Sequence, residues 1–132
     1  LDYGQASRLA LALARQANPA AQQAAVGLLQ AAGYAVALLA DVPGLAVMRT
    51  VAMLANEAAD AVNQGVCDAA AADAAMRLGV NYPCGPLAWA DAVGVERIRT
   101  VLAHLNQFYG EDRYRVSPLI QQAVFAGSKV HV

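Results

Sequence analysis

Few side chains in this sequence have the type and spacing that acid–base or nucleophilic catalysis requires. His104 lies in a segment expected to be helical, and no carboxylate three or four residues away would orient it as a general base. Glu57 and Asp60 stand three apart on one predicted helix and could form a carboxylate pair, although surface or interface charges are the favoured interpretation. No serine lies in a G-x-S-x-G segment. These residues alone therefore assemble no catalytic constellation.

The two cysteines and the glycines also lack a recognisable binding motif. Cys67 and Cys84 belong to no C-x-x-C pair or Cys/His cluster, which argues against a zinc site and a redox motif. Small buried thiols are the favoured interpretation, and a disulfide stays open in principle. The glycines form neither G-x-G-x-x-G nor G-x-x-x-x-G-K-[ST], so no motif cradles a pyrophosphate. We therefore expect this chain to bind no metal and no cofactor of its own.

The composition narrows the class of protein. Hydrophobic residues make up 58% of the 132 residues and charged residues only 14%, so we expect a buried core rather than disorder. The formal net charge of −1 argues against a nucleic-acid-binding surface. Polar residues interrupt every apolar run well before the roughly 20 residues of a membrane span, and no signal peptide opens the chain. We therefore expect a soluble, cytoplasmic protein with no nucleic-acid or membrane partner. Because the chain starts at Leu1 rather than Met, we also expect a fragment or a processed product.

The first 42 residues are predicted to hold two helices and one or two strands. Composition favours a helix over Gln5–Ala17, and Asn18-Pro19 is typical of a capped start for a second helix over Ala20–Ala32. The short apolar segment Tyr34–Leu39 is the best strand candidate. A single strand leaves backbone groups unpaired, so this one needs a partner. We expect that partner to be Leu1–Tyr3, an upstream segment or another chain.

The remainder is predicted to be helical. Pro43 precedes the longest predicted helix, Gly44–Gln64, whose apolar residues recur with helical spacing. The segment Asn81–Pro86 holds two prolines and a glycine and is expected to form a rigid turn. Ser117 is expected to cap the last helix. Asp68 is expected to cap a shorter helix that runs through Leu78. The other predicted helices run over Leu87–Val93, Val95–Phe108 and Pro118–Ala126.

Five segments, in order and in register, resemble the motifs of one enzyme family. Asp41–Arg49 is similar to D-V-P-G-F-x-V-N-R, and Asn56–Ala58 to the N-E-A that follows on the same helix. Asp73–Gly79 is similar to D-x-A-M-K-x-G, and Asn81–Gly94 to the G-Y-P-x-G-P-[FL] turn with its D-x-x-G. Arg113–Pro118 resembles R-Y-x-P-x-P. Together these segments resemble the C-terminal part of the 3-hydroxyacyl-CoA dehydrogenases.

The resemblance implies a mainly α fold, a helical bundle of the type found in the C-terminal domain of 6-phosphogluconate dehydrogenase. It implies a small α/β remnant of a Rossmann domain over residues 1–42 and the helical domain over residues 43–132. This domain order is similar to the C-terminal end of the tandem members of the family. Those proteins carry a full Rossmann domain and a first helical domain, followed by a shortened Rossmann remnant and a second helical domain. The parent enzyme would use NAD to oxidise a 3-hydroxyacyl-CoA. This chain would contribute dimerisation, through Gly44–Gln64, and part of the acyl-CoA pocket.

The departures from the family pattern predict that this chain is not catalytic alone. Met48 stands where active copies have an Asn, and a thioether is no strong hydrogen-bond donor, although Arg49 is retained. The family's catalytic His and its Glu partner belong to the domain that is missing here, and the terminal K-T-G-x-G-F-Y motif is absent. The resemblance implies five substrate-proximal residues, which are Met48, Arg49, Pro83, Cys84 and Pro86. The alternative is a purely structural packing or dimerisation module without a ligand, and an accidental resemblance of an alanine-rich domain is a third reading.

Overall fold

The computed structural model describes residues 5–131 of the chain. The chain divides into two compact units between Ala46 and Val47. Among the described residues, the first unit contains a two-stranded sheet and one helix, and the second contains five α-helices. In chain order the elements are β1 (Arg8–Ala12), α1 (Pro19–Ala31), β2 (Ala35–Leu39), α2 (Val47–Asn63), α3 (Ala69–Gly79), α4 (Pro86–Val93), α5 (Val95–Tyr109) and α6 (Pro118–Ala126), with a 3-10 turn (Asp112–Tyr114) before α6. The predicted mainly α fold is confirmed.

The first unit is a β–α–β motif. Strands β1 and β2 pair in parallel, with Arg8 opposite Ala35 and Ala12 opposite Leu39. Helix α1 connects them and begins as predicted, because the side chain of Asn18 accepts a hydrogen bond of 2.8 Å from the backbone N–H of Ala20. The predicted strand near residue 35 is confirmed. The possible strand at Leu1–Tyr3 lies outside the described residues.

The helix predicted over Gln5–Ala17 is wrong, since this segment contains β1. The prediction relied on the helix propensity of Ala and Leu, which is a weak preference that tertiary pairing overrides. Leu9 and Leu11 are half-buried while Ala10 between them is exposed, which is the period of two expected of a strand. Strand β1 is also the partner that β2 needed. The signal for it was present in the alternation of Leu9, Leu11 and Leu13, which fits a strand better than a helix.

Helix α2 is the centre of the second unit. It packs against α3, α4, α5 and α6. Its buried face is built from small residues, and Ala52, Ala55 and Ala59 have no exposed surface. Small side chains let the other helices approach its backbone closely, while larger residues of α4, α5 and α6 fill the surrounding core. Those fully buried residues are Leu87, Ile98, Leu102, Leu105 and Ile120.

Helix α2 begins three residues later than predicted. Gly44 and Leu45 have φ angles of 73° and 48°, which belong to the left-handed region and cannot continue a right-handed helix. A glycine adopts this conformation without strain, whereas a leucine there is uncommon. The segment Pro43–Ala46 is therefore a turn that leads into α2.

The predicted capping role of Ser117 is wrong. Its hydroxyl makes no capping hydrogen bond, and its Oγ atom is buried without a partner among the described residues. The start of α6 is held instead through the side-chain amide of Asn56 on α2. Its Oδ1 accepts from the backbone N–H of Ser117 at 2.8 Å, and its Nδ2 donates to the carbonyl of Arg115 at 2.8 Å. A distant buried amide thus organises the loop whose sequence suggested a local cap.

Candidate functional site

Met48 and Arg49 lie in the first turn of α2 but have different surroundings. Met48 is half-buried and packs against the hydrophobic core of the second unit. Its thioether contributes shape and polarisability rather than a hydrogen-bond donor. A reacting oxygen beside this position would therefore find no strong donor from residue 48.

The guanidinium of Arg49 is held by two tyrosines. Its Nη1 donates to the hydroxyl of Tyr109 at 3.1 Å, and its Nη2 donates to the hydroxyl of Tyr114. Its Cζ lies 4.8 Å from the ring centroid of Tyr109 and 5.5 Å from that of Tyr114, within the range of a cation–π interaction. The two rings are themselves stacked, with centroids 5.2 Å apart. Arg49 therefore ties the start of α2 to the end of α5 and to the 3-10 turn.

The tyrosines also raise the pKa of Arg49. Desolvation on its own lowers the pKa of the guanidinium. The hydrogen bond and charge interaction with Tyr114, followed by those with Tyr109, outweigh it, so the pKa of Arg49 lies above its ordinary value. Arg49 stays charged at every pH at which the protein would be studied, and the tyrosines occupy one donor on each of its two terminal nitrogens.

Asp73 connects α3 to the start of α4. Its Oδ1 accepts a hydrogen bond of 2.8 Å from the backbone N–H of Leu87, and its Oδ2 accepts one of 2.9 Å from that of Ala88. These N–H groups belong to the first turn of α4, where no intrahelical partner exists and a negative charge is favourable. Asp73 is buried, so this carboxylate fixes the turn that precedes α4.

Gly85 lies against Asp73 with no space for a side chain. A Cβ atom at residue 85 would lie 2.1 Å from Cγ of Asp73. The Pro-Cys-Gly-Pro turn is thus closed directly onto the carboxylate that caps the following helix. Pro86 occupies the first position of α4, where a missing N–H costs nothing.

Pro83 and Cys84 line an open cavity of about 420 Å³ beside this turn. His131 enters the same cavity, with its Nδ1 2.8 Å from Oδ2 of Asp73. The backbone that carries His131 is held by Asp91, whose two carboxylate oxygens accept from the N–H groups of Val130 and His131 at 2.9 and 3.0 Å. The other lining residues are Ala70, Asp73, Arg77, Gly85 and Ala88.

The sequence analysis placed His131 in a tail and missed this arrangement. The contact spans 58 positions from Asp73 to His131, and no local pattern signals a contact over that distance. The one available signal was the apolar Val130, which is buried in the core. An apolar residue in a polar tail suggests that the tail is docked.

Pro86 contributes to a second cavity on the other side of the turn. This cavity has a volume of about 270 Å³ and an almost entirely apolar lining from α2, α3 and the loop between them. The single charged residue in its lining is Glu57. The other lining residues are Leu54, Ala58, Ala61, Cys67, Ala72, Ala75 and Met76.

The structure therefore brings Pro83 and Cys84 together, places Pro86 beside the apolar cavity, and leaves Met48 and Arg49 outside the lining of both. Asp60 forms an ion pair of 2.6 Å with Arg115, so its carboxylate links α2 to the loop before α6. His104 is exposed on α5. Both cysteines are free thiols.

Within residues 5–131, no group of three His, Cys, Asp or Glu side chains is placed to hold a metal ion. None of the described helices combines the length and the apolar character needed to cross a membrane.

Two family models match the chain. Residues 44–130 match the model described as 3-hydroxyacyl-CoA dehydrogenase, C-terminal domain. Residues 1–43 match the model described as 3-hydroxybutyryl-CoA dehydrogenase reduced Rossmann-fold domain. The two matches meet within four residues of the division between the compact units.

Curated relatives are similar over most of the chain. The chain is 46% identical to a 3-hydroxyadipyl-CoA dehydrogenase of Escherichia coli over 118 residues, which cover 89% of this chain and 25% of the relative. It is 40% identical to a probable 3-hydroxybutyryl-CoA dehydrogenase of Deinococcus radiodurans over 66% of this chain and 31% of the relative. The chain thus spans between a quarter and a third of the length of these relatives.

Solved structures show the same fold. The crystal structure of 3-hydroxybutyryl-CoA dehydrogenase from Escherichia coli superposes with a TM-score of 0.84 at 43% identity, over 91% of this chain and 25% of that one. The crystal structure of (S)-3-hydroxybutyryl-CoA dehydrogenase from Ralstonia eutropha superposes with a TM-score of 0.85 at 28% identity, over 93% of this chain and 44% of that one.

Proposed function

This chain belongs to the 3-hydroxyacyl-CoA dehydrogenase family, and we propose that it is the C-terminal portion of an enzyme that oxidises a 3-hydroxyacyl-CoA to the 3-oxoacyl-CoA with NAD. The observation that carries the proposal is the match to the Escherichia coli 3-hydroxyadipyl-CoA dehydrogenase, which covers 89% of this chain and a quarter of the relative. The chain then corresponds to the reduced Rossmann-fold domain and the C-terminal helical domain, with a boundary near residue 43.

The role of this portion is structural and substrate-proximal rather than catalytic. Residue 48 is a methionine packed on the core, so it supplies no donor to a substrate carbonyl. The guanidinium of Arg49 is occupied by Tyr109 and Tyr114, so this residue fixes the first turn of α2 rather than binding substrate itself. Pro83, Cys84 and Pro86 shape one rigid turn, which serves as a wall of the acyl-CoA pocket.

The described residues of the first unit, 5–46, do not fit a dinucleotide. A Rossmann β–α turn needs glycines and free N–H groups at the start of the helix for the pyrophosphate. Here the connection between β1 and α1, residues 13–18, contains no glycine. The start of α1 is closed by the Asn18 side chain and by Pro19. The NAD of the parent enzyme is therefore assigned to a different domain.

Dimerisation remains part of the proposal, but its surface differs from the one the sequence suggested. Three alanines of α2, the helix expected to meet a second copy, are buried inside the second unit; they are Ala52, Ala55 and Ala59. A fourth alanine of this helix, Ala58, lines the open apolar cavity between α2 and α3. A second copy, or the first helical domain of a tandem enzyme, would therefore pack on Leu54, Ala58 and Ala61, a face continuous with that cavity.

A purely structural module without a ligand is the second candidate, and the burial of Met48 and the engagement of Arg49 favour it. Titration calorimetry of the chain with acetoacetyl-CoA distinguishes the two. Heat that saturates at millimolar ligand supports a residual acyl-CoA pocket, whereas the absence of heat leaves only the packing role. In neither case should the chain alone form NADH from 3-hydroxybutyryl-CoA, and measurable turnover would contradict the non-catalytic role.

The assignment to a dehydrogenase is tested on the longer gene product. We expect it to reduce NAD with a 3-hydroxyacyl-CoA, followed by absorbance at 340 nm. A longer product that folds, binds NAD and shows no such activity with short-chain, long-chain or dicarboxylic 3-hydroxyacyl-CoA substrates would overturn the proposal.

A further inference from the structure

The cavity beside the Pro-Cys-Gly-Pro turn contains a thiol, an arginine and a histidine. The proposed function uses the shape of the turn at Cys84 but neither its thiol chemistry nor the two other side chains. Cys84, Arg77 and His131 come from a turn, from α3 and from the terminal segment, and all three line the same open space of about 420 Å³. Cys84 is a free, half-buried thiol, so reagents that enter the cavity can reach it.

Both oxygens of the one carboxylate that lines this cavity within residues 5–131, that of Asp73, already have protein partners. Oδ1 of Asp73 accepts from Leu87, while Oδ2 accepts from Ala88 and lies 2.8 Å from Nδ1 of His131. The contact orients the imidazole and leaves Nε2 without a partner among the described residues. Asp91 is likewise occupied by the N–H groups of Val130 and His131.

Arg77 has no such compensation. Within residues 5–131 its guanidinium forms no ion pair, and its side chain is exposed at the cavity. A free arginine fork is a donor suited to a carboxylate or another small anion. The imidazole of His131 donates to Asp73 through Nδ1 and offers a second donor to an anion, Nε2–H, in its protonated form. Partly exposed thiols in basic surroundings are also the ones that react in proteins.

We propose that Cys84 is a modification site that takes a small anionic disulfide, whose negative group is bound by Arg77 and His131. The Cys84 thiolate attacks one sulfur of the reagent, the S–S bond breaks, and the departing half leaves as a thiolate that takes a proton from water. Cys84 is thereby oxidised to a mixed disulfide and half of the reagent is reduced, so the disulfide itself is the oxidant.

Cys67 provides an internal reference in the same chain. It is also a free, half-buried thiol, but its cavity is apolar and Glu57 is the one charged residue in the lining. An anionic reagent is attracted to Cys84 and repelled from Cys67, whereas a cationic reagent has the reverse preference.

The test compares two disulfides of opposite charge on the full 132-residue chain. The probes are 5,5′-dithiobis(2-nitrobenzoate), with a carboxylate on each half, and cystamine, with an ammonium on each half. Peptide mass spectrometry assigns the rate at each cysteine without any substitution. We expect Cys84 to react with the anionic probe about tenfold faster than Cys67, and cystamine to react faster with Cys67 than with Cys84.

Substitutions then test the two basic groups. We expect Arg77→Gln and His131→Gln each to lower the rate of Cys84 with the anionic probe several-fold and to leave Cys67 unchanged. The matched control is Arg97→Gln, which removes an exposed arginine of α5 that lines neither cavity. Equal rates at the two cysteines, or an unchanged preference for the anionic probe in Arg77→Gln, would overturn the proposal.

Discussion

Gly85 lies directly against the carboxylate of Asp73, and a Cβ at residue 85 would stand 2.1 Å from Asp73 Cγ. The same carboxylate accepts the hydrogen bonds of the first turn of α4 and holds His131. One close contact therefore joins the turn, the start of a helix and the terminal segment. It explains why the turn motif needs a glycine after Cys84.

The first prediction concerns this contact. We expect Gly85→Ala to lower the free energy of unfolding by about 2–4 kcal/mol, since the new methyl group must displace a buried carboxylate and its hydrogen bonds. Urea denaturation followed by circular dichroism measures the change. The control is Gly79→Ala, because a Cβ at residue 79 meets nothing within 4 Å. That variant should be neutral or slightly stabilising, and equal losses in both variants would contradict the proposed steric cause.

The second prediction separates the roles of Asn56 and Ser117. We expect Asn56→Ala to cost about 2–3 kcal/mol, because two buried backbone groups of the loop before α6 lose their partner. Ser117→Ala should be neutral or stabilise the protein by up to about 1 kcal/mol, since its buried hydroxyl has no partner among residues 5–131 to lose. Thermal or urea unfolding of the two variants checks both signs. A larger loss for Ser117→Ala than for Asn56→Ala would restore the capping role assigned from the sequence.

The third prediction concerns Arg49. We expect Arg49→Lys to lower stability by about 1–2 kcal/mol, because an ammonium cannot span both tyrosine hydroxyls while lying over the rings. Tyr109→Phe, which keeps the ring and removes one acceptor, should cost less, about 0.5–1 kcal/mol. Chemical denaturation gives both values. If Arg49→Lys instead left stability intact and weakened the calorimetric binding of acetoacetyl-CoA, Arg49 would be a substrate ligand rather than a structural residue.

The fourth prediction concerns the surface that meets a second copy. We expect the chain to be dimeric at high micromolar concentration and Ala58→Glu to make it monomeric, because the new carboxylate would be buried against the partner without a counterion. Light scattering coupled to size-exclusion chromatography gives the mass. Ala103→Glu, on the exposed side of α5, is the matched control and should remain a dimer. A wild-type chain that is monomeric at this concentration would rule out the dimer.

Local signals in the sequence determined most of the helices. Proline and glycine positions, together with the caps Asn18 and Asp68, predicted helix starts to within a few residues, because these side chains act on backbone groups two or three positions away. Ordered motifs over residues 41–127 identified the family, since they depend on residue identity rather than on packing. The rigid turn around Gly85 was also predictable from its two prolines.

Tertiary structure determined the features that depend on contacts between residues far apart in the sequence. The segment Arg8–Ala12 is a strand because its backbone pairs with that of β2, which would otherwise have unpaired N–H and C=O groups. This pairing outweighs the local helix preference of the alanines and leucines in Arg8–Ala12. The buried amide of Asn56 replaced Ser117 at the start of α6, 61 positions away along the chain. The meeting of Asp73, Cys84, Arg77 and His131 likewise arose from packing, because side chains on a turn, a helix and a terminal segment converge only once the helices between them are in place.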